Sequence, residues 1–382
     1  MKYVLPFLSL LIYVALCSCQ EQKPVSKQAP AAITEAKSEA VPVNDTVYET
    51  QPLYTLEEYN HDKVESEFKA GDDVYKAYTE SYSLNDSSLV EVLFDSVGGR
   101  QVQVEKLRCH NHVYKIRLTK NGKLVFQKQF TKLDFLKAGD NGFIKESAPD
   151  APNFKGVTTE GNAIFDLLFC LPESDFGVVA SFSTDSKGNL LHYEPTGADC
   201  SSEVQTSPNR SYYLTCNKLY GPNGYVFSFG KPDMVATAFL TDTSFVAVNY
   251  STKRIYNKEK HDWEETHEEE TNNLIVYHVN GKKLSAHKFN GFYFELGYII
   301  QMEVLQKQGI LLLFDGEKKE LHTISISNPQ SSNVVPVKNL QKLNKRLRSG
   351  NWYEVPMADE TGEQFYFYVA SDTLKAYHVA KR

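Results

Sequence analysis

The chain has 382 residues, 12% aromatic and 23% charged, and its 41 Lys and Arg against 48 Asp and Glu give a formal net charge of −7. That balance lacks the basic footprint of a nucleic-acid binder and argues against electrostatic docking on anionic lipid. The length allows one large β domain or two ordinary domains, each with a sizeable core.

Residues 1–18 read as an export signal. Lys2 supplies a positive n-region, and Val4 to Leu16 an apolar run too short to span a bilayer comfortably. Polar Gln20-Glu21-Gln22-Lys23 stops the run, which argues against a retained transmembrane anchor, and Pro6 argues against a buried core helix. Leu16-Cys17-Ser18-Cys19 resembles a bacterial lipobox: Leu, two small residues, then Cys. On that resemblance cleavage falls before Cys19, which carries lipid on its sulfur and its new amino group. Cleavage before Cys17 would place bulky Leu16 at the cut. Ordinary secretion, with Ser18 as the small residue, is the competing reading. Each buried methylene contributes about 0.8 kcal/mol and stable anchoring needs more than one chain, a condition that a triacylated cysteine meets. Gln20 in place of Asp resembles outer-membrane sorting patterns and leaves the periplasmic or surface face open.

Residues 19–54 are rich in Pro, Ala, Lys, Glu and Ser and too poor in apolar side chains to offset their ordering entropy, so they read as a flexible tether. Thr55-Leu56-Glu57-Glu58 fits a capping box and predicts a short helix over 56–69, ended by Gly71-Asp72-Asp73, within a lead-in spanning 55–80.

A β-rich body is expected over 81–382. His112, Tyr114, Ile116 and Leu118 alternate with Val113, Lys115, Arg117 and Thr119, then Asn121-Gly122 and Leu124-Val125-Phe126 complete a type I′ hairpin pattern. A second hairpin pairs Gly177 to Phe182 with Leu190 to Tyr193 across Lys187-Gly188-Asn189. Three later pairs share one form, an apolar strand followed by a strand carrying an imidazole: Phe245 to Tyr250 with Leu274 to Val279, Ile310 to Phe314 with Leu321 to Ile326, and Phe365 to Val369 with Leu374 to Val379. Repeated antiparallel meanders of this kind favour a β-propeller-like fold with loose blades. The alternative is two β-sandwich-like domains meeting near 200–220. Leu340, Leu343 and Leu347 before Gly350 suggest a helix, and the basic run from Lys338 to Arg348 reads as its solvated face.

Of six Cys, the signal removes Cys17 and lipid occupies Cys19, leaving Cys109, Cys170, Cys200 and Cys216. Cys200 and Cys216 flank a polar loop and are the candidate disulfide; closing a loop of about 15 residues stabilises by roughly 3 kcal/mol. Buried thiols acting as small apolar residues are the plainer alternative. No spacing supports pairing Cys109 with Cys170.

No motif identifies a catalytic or metal site. His110-Asn111-His112 places two imidazoles on one strand face but fixes no third ligand. Within the charge run from Lys258 to Glu270, His267-Glu268-Glu269-Glu270-Thr271 begins like a zincin helix but has Thr where the second His belongs, so the run reads as a solvated hairpin tip. Gly224 to Lys231 fails as a phosphate loop: five residues separate its glycines and Pro232 replaces Ser or Thr. There is no Gly-x-Ser-x-Gly elbow. Asp166, Glu173, Asp175 and Asp185 supply carboxylates that spacing alone cannot pair for glycoside hydrolysis. No cofactor is indicated.

The lipobox-like Leu16 to Cys19 and the segment Phe169-Cys170-Leu171-Pro172-Glu173-Ser174-Asp175-Phe176, before a strand and a Gly188-Asn189 turn, resemble the uncharacterised envelope lipoproteins of Bacteroides-like bacteria. That resemblance implies an address and no activity. Two expectations follow. One is a lipid-anchored envelope protein, held to the membrane through Cys19, whose β body binds a glycan or an envelope protein. The other is a lipid-anchored hydrolase acting on glycans through paired carboxylates.

Overall fold

The computed structural model describes residues 48–51, 61–97, 100–138, 142–172, 174, 176–195, 202–229, 234–249, 252–257, 262–267, 272–294, 297–347, 350–370 and 373–380. The export signal, Cys19, most of the tether, residues 55–58 and Cys200 lie outside them.

The described chain is mainly β and propeller-like, a succession in chain order of six blade sheets, five of them four-stranded and the second five-stranded. β1 (Tyr48–Thr50) precedes the first blade, which opens with β2 (His61–Ala70) and β3 (Asp73–Ser83). A hairpin of β4 (Leu89–Val97) and β5 (Arg100–Cys109) is inserted next and carries β1 in parallel on β5. β6 (His112–Lys120) and β7 (Lys123–Thr131) then complete the order β2-β3-β6-β7. The helices α1 (Lys132–Ala138) and α2 (Gly142–Glu146) lead to the second blade. There β8 (Ala148–Pro149) and β9 (Asn153–Val157) share one edge of β10 (Ala163–Cys170), followed by β11 (Gly177–Thr184) and β12 (Leu190–Pro195). The third blade is short-stranded: β13 (Gln205–Thr206), β14 (Tyr213–Leu214), β15 (Lys218–Tyr220) and β16 (Val226–Ser228).

The fourth blade starts with β17 (Met234–Phe239) and β18 (Ser244–Asn249). A hairpin, β19 (Thr252–Asn257) with β20 (Asp262–His267), enters at the same place as in the first blade, before β21 (Leu274–His278) and β22 (Lys283–His287). A small hairpin of β23 (Phe292–Phe294) and β24 (Gly297–Ile299) precedes the fifth blade, β25 (Gln301–Leu305), β26 (Ile310–Asp315), β27 (Glu320–Ser325) and β28 (Ser332–Pro336). In the last blade β29 (Gln341–Leu343) lies parallel to β32 (Thr373–Val379), beyond β31 (Gln364–Ala370) and β30 (Tyr353–Ala358).

Edge strands of neighbouring blades meet, β2 with β9, β9 with β13, β13 with β17, and β25 with β30, which is the axial relationship of a propeller. Apolar clusters join the blades in turn. Phe165, Phe169 and Phe182 of the second blade pack with Tyr114 and Phe130 of the first around Phe135 of α1. Ile164 meets Tyr213 and Tyr220 between the second and third. Leu214 and Leu219 meet Phe245 between the third and fourth. Val246 and Leu274 meet Leu311 and Leu313 between the fourth and fifth, and Leu312 and Phe314 meet Phe365 and Phe367 between the fifth and last. No buried cluster among the described residues joins the last blade to the first. The outward face of the first blade is polar instead, with His61, Lys63 and Lys115 gathered on Glu80.

Three expectations change. Residues 61–69 are strand, not helix: Val64, Ser66 and Phe68 alternate inward at period two, and Gly71 at φ +64° turns β2 into β3. The β-rich body therefore includes residues 61–80, which the sequence assigns to a helical or irregular lead-in. The segment around Leu340–Leu347 is a 3-10 turn and strand β29, because parallel pairing with β32 satisfies its backbone. The region 200–220 holds the third blade rather than a boundary between two sandwiches. The five strand pairs read from the sequence are all paired, β18 and β21 across the inserted β19–β20 hairpin, and Asn121 and Gly122 both take positive φ as a type I′ turn requires.

Candidate functional site

β31 alternates between two environments. Phe365, Phe367 and Val369 enter the core shared with the fifth blade, so Tyr366 and Tyr368 fall on the opposite face. Each tyrosine organises one part of the loop that follows β29. The Arg346 guanidinium lies 4.2 Å over the Tyr366 ring, and its Nε donates to both Glu354 carboxylate oxygens at 3.0 Å. That bidentate pairing raises Arg346 above the ordinary arginine value. Buried Tyr368 accepts the Leu347 N–H at 3.0 Å and meets the Trp352 ring edge-on at 6.3 Å. Burial also pushes the Tyr368 hydroxyl up, keeping it neutral. His378 stacks beside Tyr366 at 6.3 Å, and its Nδ1 donates to the Leu343 carbonyl at 3.1 Å.

These groups border a cavity of about 1860 Å³. Trp352, Glu354 and His378 line it, together with Lys342, Lys345, Arg346 and Glu363. Gly350 is required beside Trp352, since a Cβ there would collide with the indole ring. Lys342 and Lys345 are exposed, and no ion pair engages either of them among the described residues. The arrangement offers an aromatic surface, a fixed carboxylate and an excess of cations.

The sequence located little of this. The basic run from Lys338 to Arg348, expected as the solvated face of a helix, instead supplies Lys342, Lys345 and Arg346 to the cavity. Trp352, Tyr366, Tyr368 and Glu354 carried no motif; the one available signal was the alternation of Phe and Tyr along Phe365 to Val369.

Other candidates separate. Cys216 is disulfide-bonded, while Cys109 and Cys170 are thiols outside any disulfide, and burial pushes the Cys109 thiol up to about 11. His110 and Asn111 form the connection between β5 and β6 rather than a strand face. His110, Asn111 and His112 are all buried, and burial holds His112 well below the ordinary imidazole value. No cluster of metal-ligating side chains occurs among the described residues. Residues 262–267 of the charge run are strand β20, not a zincin helix, and its remaining positions lie outside the described residues. Asp166 accepts Ser181 Oγ at 2.8 Å and faces Lys155; burial pushes it up. Asp185 caps its own turn, accepting the Lys187 and Asn189 N–H groups at 2.8 Å. Glu173 and Asp175 lie outside the described residues.

Two further groups are perturbed. Lys132 is fully buried, and burial lowers it to about 7; its Nζ donates to the His110 and Lys145 carbonyls, each at 2.9 Å. Asp150, between β8 and β9, is pushed up to about 6 by desolvation and by the neighbouring Asp62 carboxylate, whose Oδ2 accepts the Ala151 N–H at 2.9 Å.

No protein-family model matches the chain, and no curated protein matches it. The solved structures that resemble it include the following three. The periplasmic gluconolactonase PpgL of Pseudomonas aeruginosa is 11% identical with a TM-score of 0.33, over 82% of this chain and 84% of that one. The Dos1 propeller is 9% identical with a TM-score of 0.33, over 78% and 73%. The uncharacterized protein lmo1340 of Listeria monocytogenes is 9% identical with a TM-score of 0.28, over 76% and 85%.

Proposed function

We propose that the protein is a lipid-anchored envelope protein, tethered to the outer membrane through Cys19, whose propeller-like body binds a saccharide in the cavity of the last blade. The observation that carries the binding reading is Trp352, held by Tyr368 and Gly350 at the edge of that cavity beside the fixed Glu354 carboxylate. An aromatic face beside planar polar groups suits a sugar ring, whose apolar face stacks and whose hydroxyls need fixed partners. The volume of about 1860 Å³ exceeds the roughly 300–1,000 Å³ of small-molecule pockets and favours several sugar units. The anchor rests on Leu16-Cys17-Ser18-Cys19 and the tether composition. The Cys216 disulfide supports Cys200 as its partner.

Membrane fractionation tests the anchor: Cys19→Ala should release a folded protein, and equal membrane retention of that variant would defeat the claim. Calorimetric titration of the detergent-solubilised chain with oligosaccharides tests the binding body. Saturable binding lost in Trp352→Ala is expected; binding untouched by that change contradicts the assignment of the cavity.

A second reading, a hydrolase acting on glycans, is favoured by the Asp62 carboxylate, fixed on the Ala151 N–H at 2.9 Å next to Asp150, whose carboxyl is raised partly by that charge. Release of reducing ends, abolished by Asp150→Asn while binding persists, would support it; no release from saccharides that the protein binds would dismiss it.

A further inference from the structure

We infer that the ligand of the last-blade cavity is an anionic oligosaccharide, one bearing carboxylate or phosphate groups. The inference rests on the saccharide reading of that cavity. Its ground is how the cations are partnered. On the central strands of the first blade the exposed cations are matched. On the first blade Lys115 pairs with Glu80 at 3.3 Å and lies over Tyr82 at 4.7 Å, Lys76 pairs with Glu67 at 3.2 Å, and Lys120 pairs with Asp73 at 2.8 Å.

The cavity differs. Arg346 is committed to Glu354 and Tyr366, which leaves Lys342 and Lys345 in the lining without an ion pair among the described residues. Glu363 alone of the remaining lining carboxylates offsets them. A surplus of cations around a cavity is notable on a chain of net charge −7. Lysine ammoniums are mobile point charges suited to anionic groups spaced along a flexible ligand, and clefts lined by one sign concentrate ligands of the other. Trp352 at the same edge supplies the stacking that an acidic peptide does not need and a sugar ring uses.

The test titrates the detergent-solubilised full chain with four probes of matched length: a uronic-acid oligosaccharide, a phosphate-bearing oligosaccharide, a neutral oligosaccharide and an oligoglutamate peptide. At least one anionic saccharide should bind at least tenfold tighter than the neutral one, and that advantage should shrink as salt rises. Lys342→Ala with Lys345→Ala should abolish the advantage, Lys→Arg at both positions should restore it, and the uronate and phosphate arms identify which anion is read. Equal affinity for neutral and anionic saccharides, insensitive to both lysines, would overturn the inference while leaving the saccharide reading standing. Absence of any saccharide binding would overturn both. Oligoglutamate binding as tightly as the best saccharide would overturn the saccharide identity.

Discussion

The Arg346 guanidinium is held between two residues of different strands, 4.2 Å over the Tyr366 ring of β31 and bidentate on Glu354 of β30. The pair ties the loop after β29 to the face of the last blade. Because the side chains are 56% and 22% exposed, the ion pair itself is worth only about 0–1 kcal/mol. Its consequence is geometric. Tyr366→Ala should cost only about 1 kcal/mol of stability, from the lost cation–π and stacking contacts, yet should make the loop after β29 readily cleaved by protease. Limited proteolysis checks this; unchanged cleavage would show that Tyr366 does not hold the loop.

Gly350 makes a sharper prediction. Gly350→Ala places a methyl group where the Trp352 ring lies, so the indole must move. Saccharide binding should fall at least tenfold with a modest loss of thermal stability, as calorimetry and a melting curve would report. Unchanged affinity would mean that the indole position does not matter to the ligand.

In the core, Phe135 of α1 touches Tyr114, Phe130, Phe169, Phe182 and Tyr193 and is fully buried between the first two blades. Phe135→Ala should destabilise by about 3–5 kcal/mol through lost transfer energy and a residual cavity. Urea unfolding measures it, and a cost under about 1 kcal/mol would contradict the packing described.

Lys132 makes stability depend on pH. Its folded value of about 7 lies below the ordinary 10.5, so between those limits the unfolded chain binds a proton that the folded protein does not. Stability from this group therefore rises with pH from about 7 to 10.5 and is flat below 7, where both states are charged. Lys132→Met should be less stable, because the His110 and Lys145 carbonyls lose their donor, and its stability should climb less steeply between pH 7 and 10. Parallel stability curves for the two proteins would refute a neutral buried amine.

The strands were legible where residues alternate and turns carry a chemical signature, as in Asn121-Gly122 and in Phe365 to Val369. The wrong helices had local reasons. Residues 61–69 follow a capping-box pattern, yet Phe68 gains more by packing on Phe154 of the second blade from a strand. The leucines near 340–347 have helical spacing, but the free edge of β32 offers β29 its hydrogen bonds. The cavity was illegible because its parts are distant in sequence: Lys342, Trp352, Glu354 and His378 meet only once β29 has docked on β32. Buried Lys132 was equally hidden, since nothing in Thr131-Lys132-Leu133 distinguishes a core lysine from a surface one.

The claim that the last-blade cavity is the binding site has a direct optical test. The chain has two tryptophans, so Trp263→Phe leaves Trp352 as the single indole reporter. Titration of that variant with the tightest-binding anionic oligosaccharide should give a saturable change in tryptophan emission, with the same midpoint as calorimetry. Calorimetric binding with no change in Trp352 emission would place the ligand elsewhere and contradict the account.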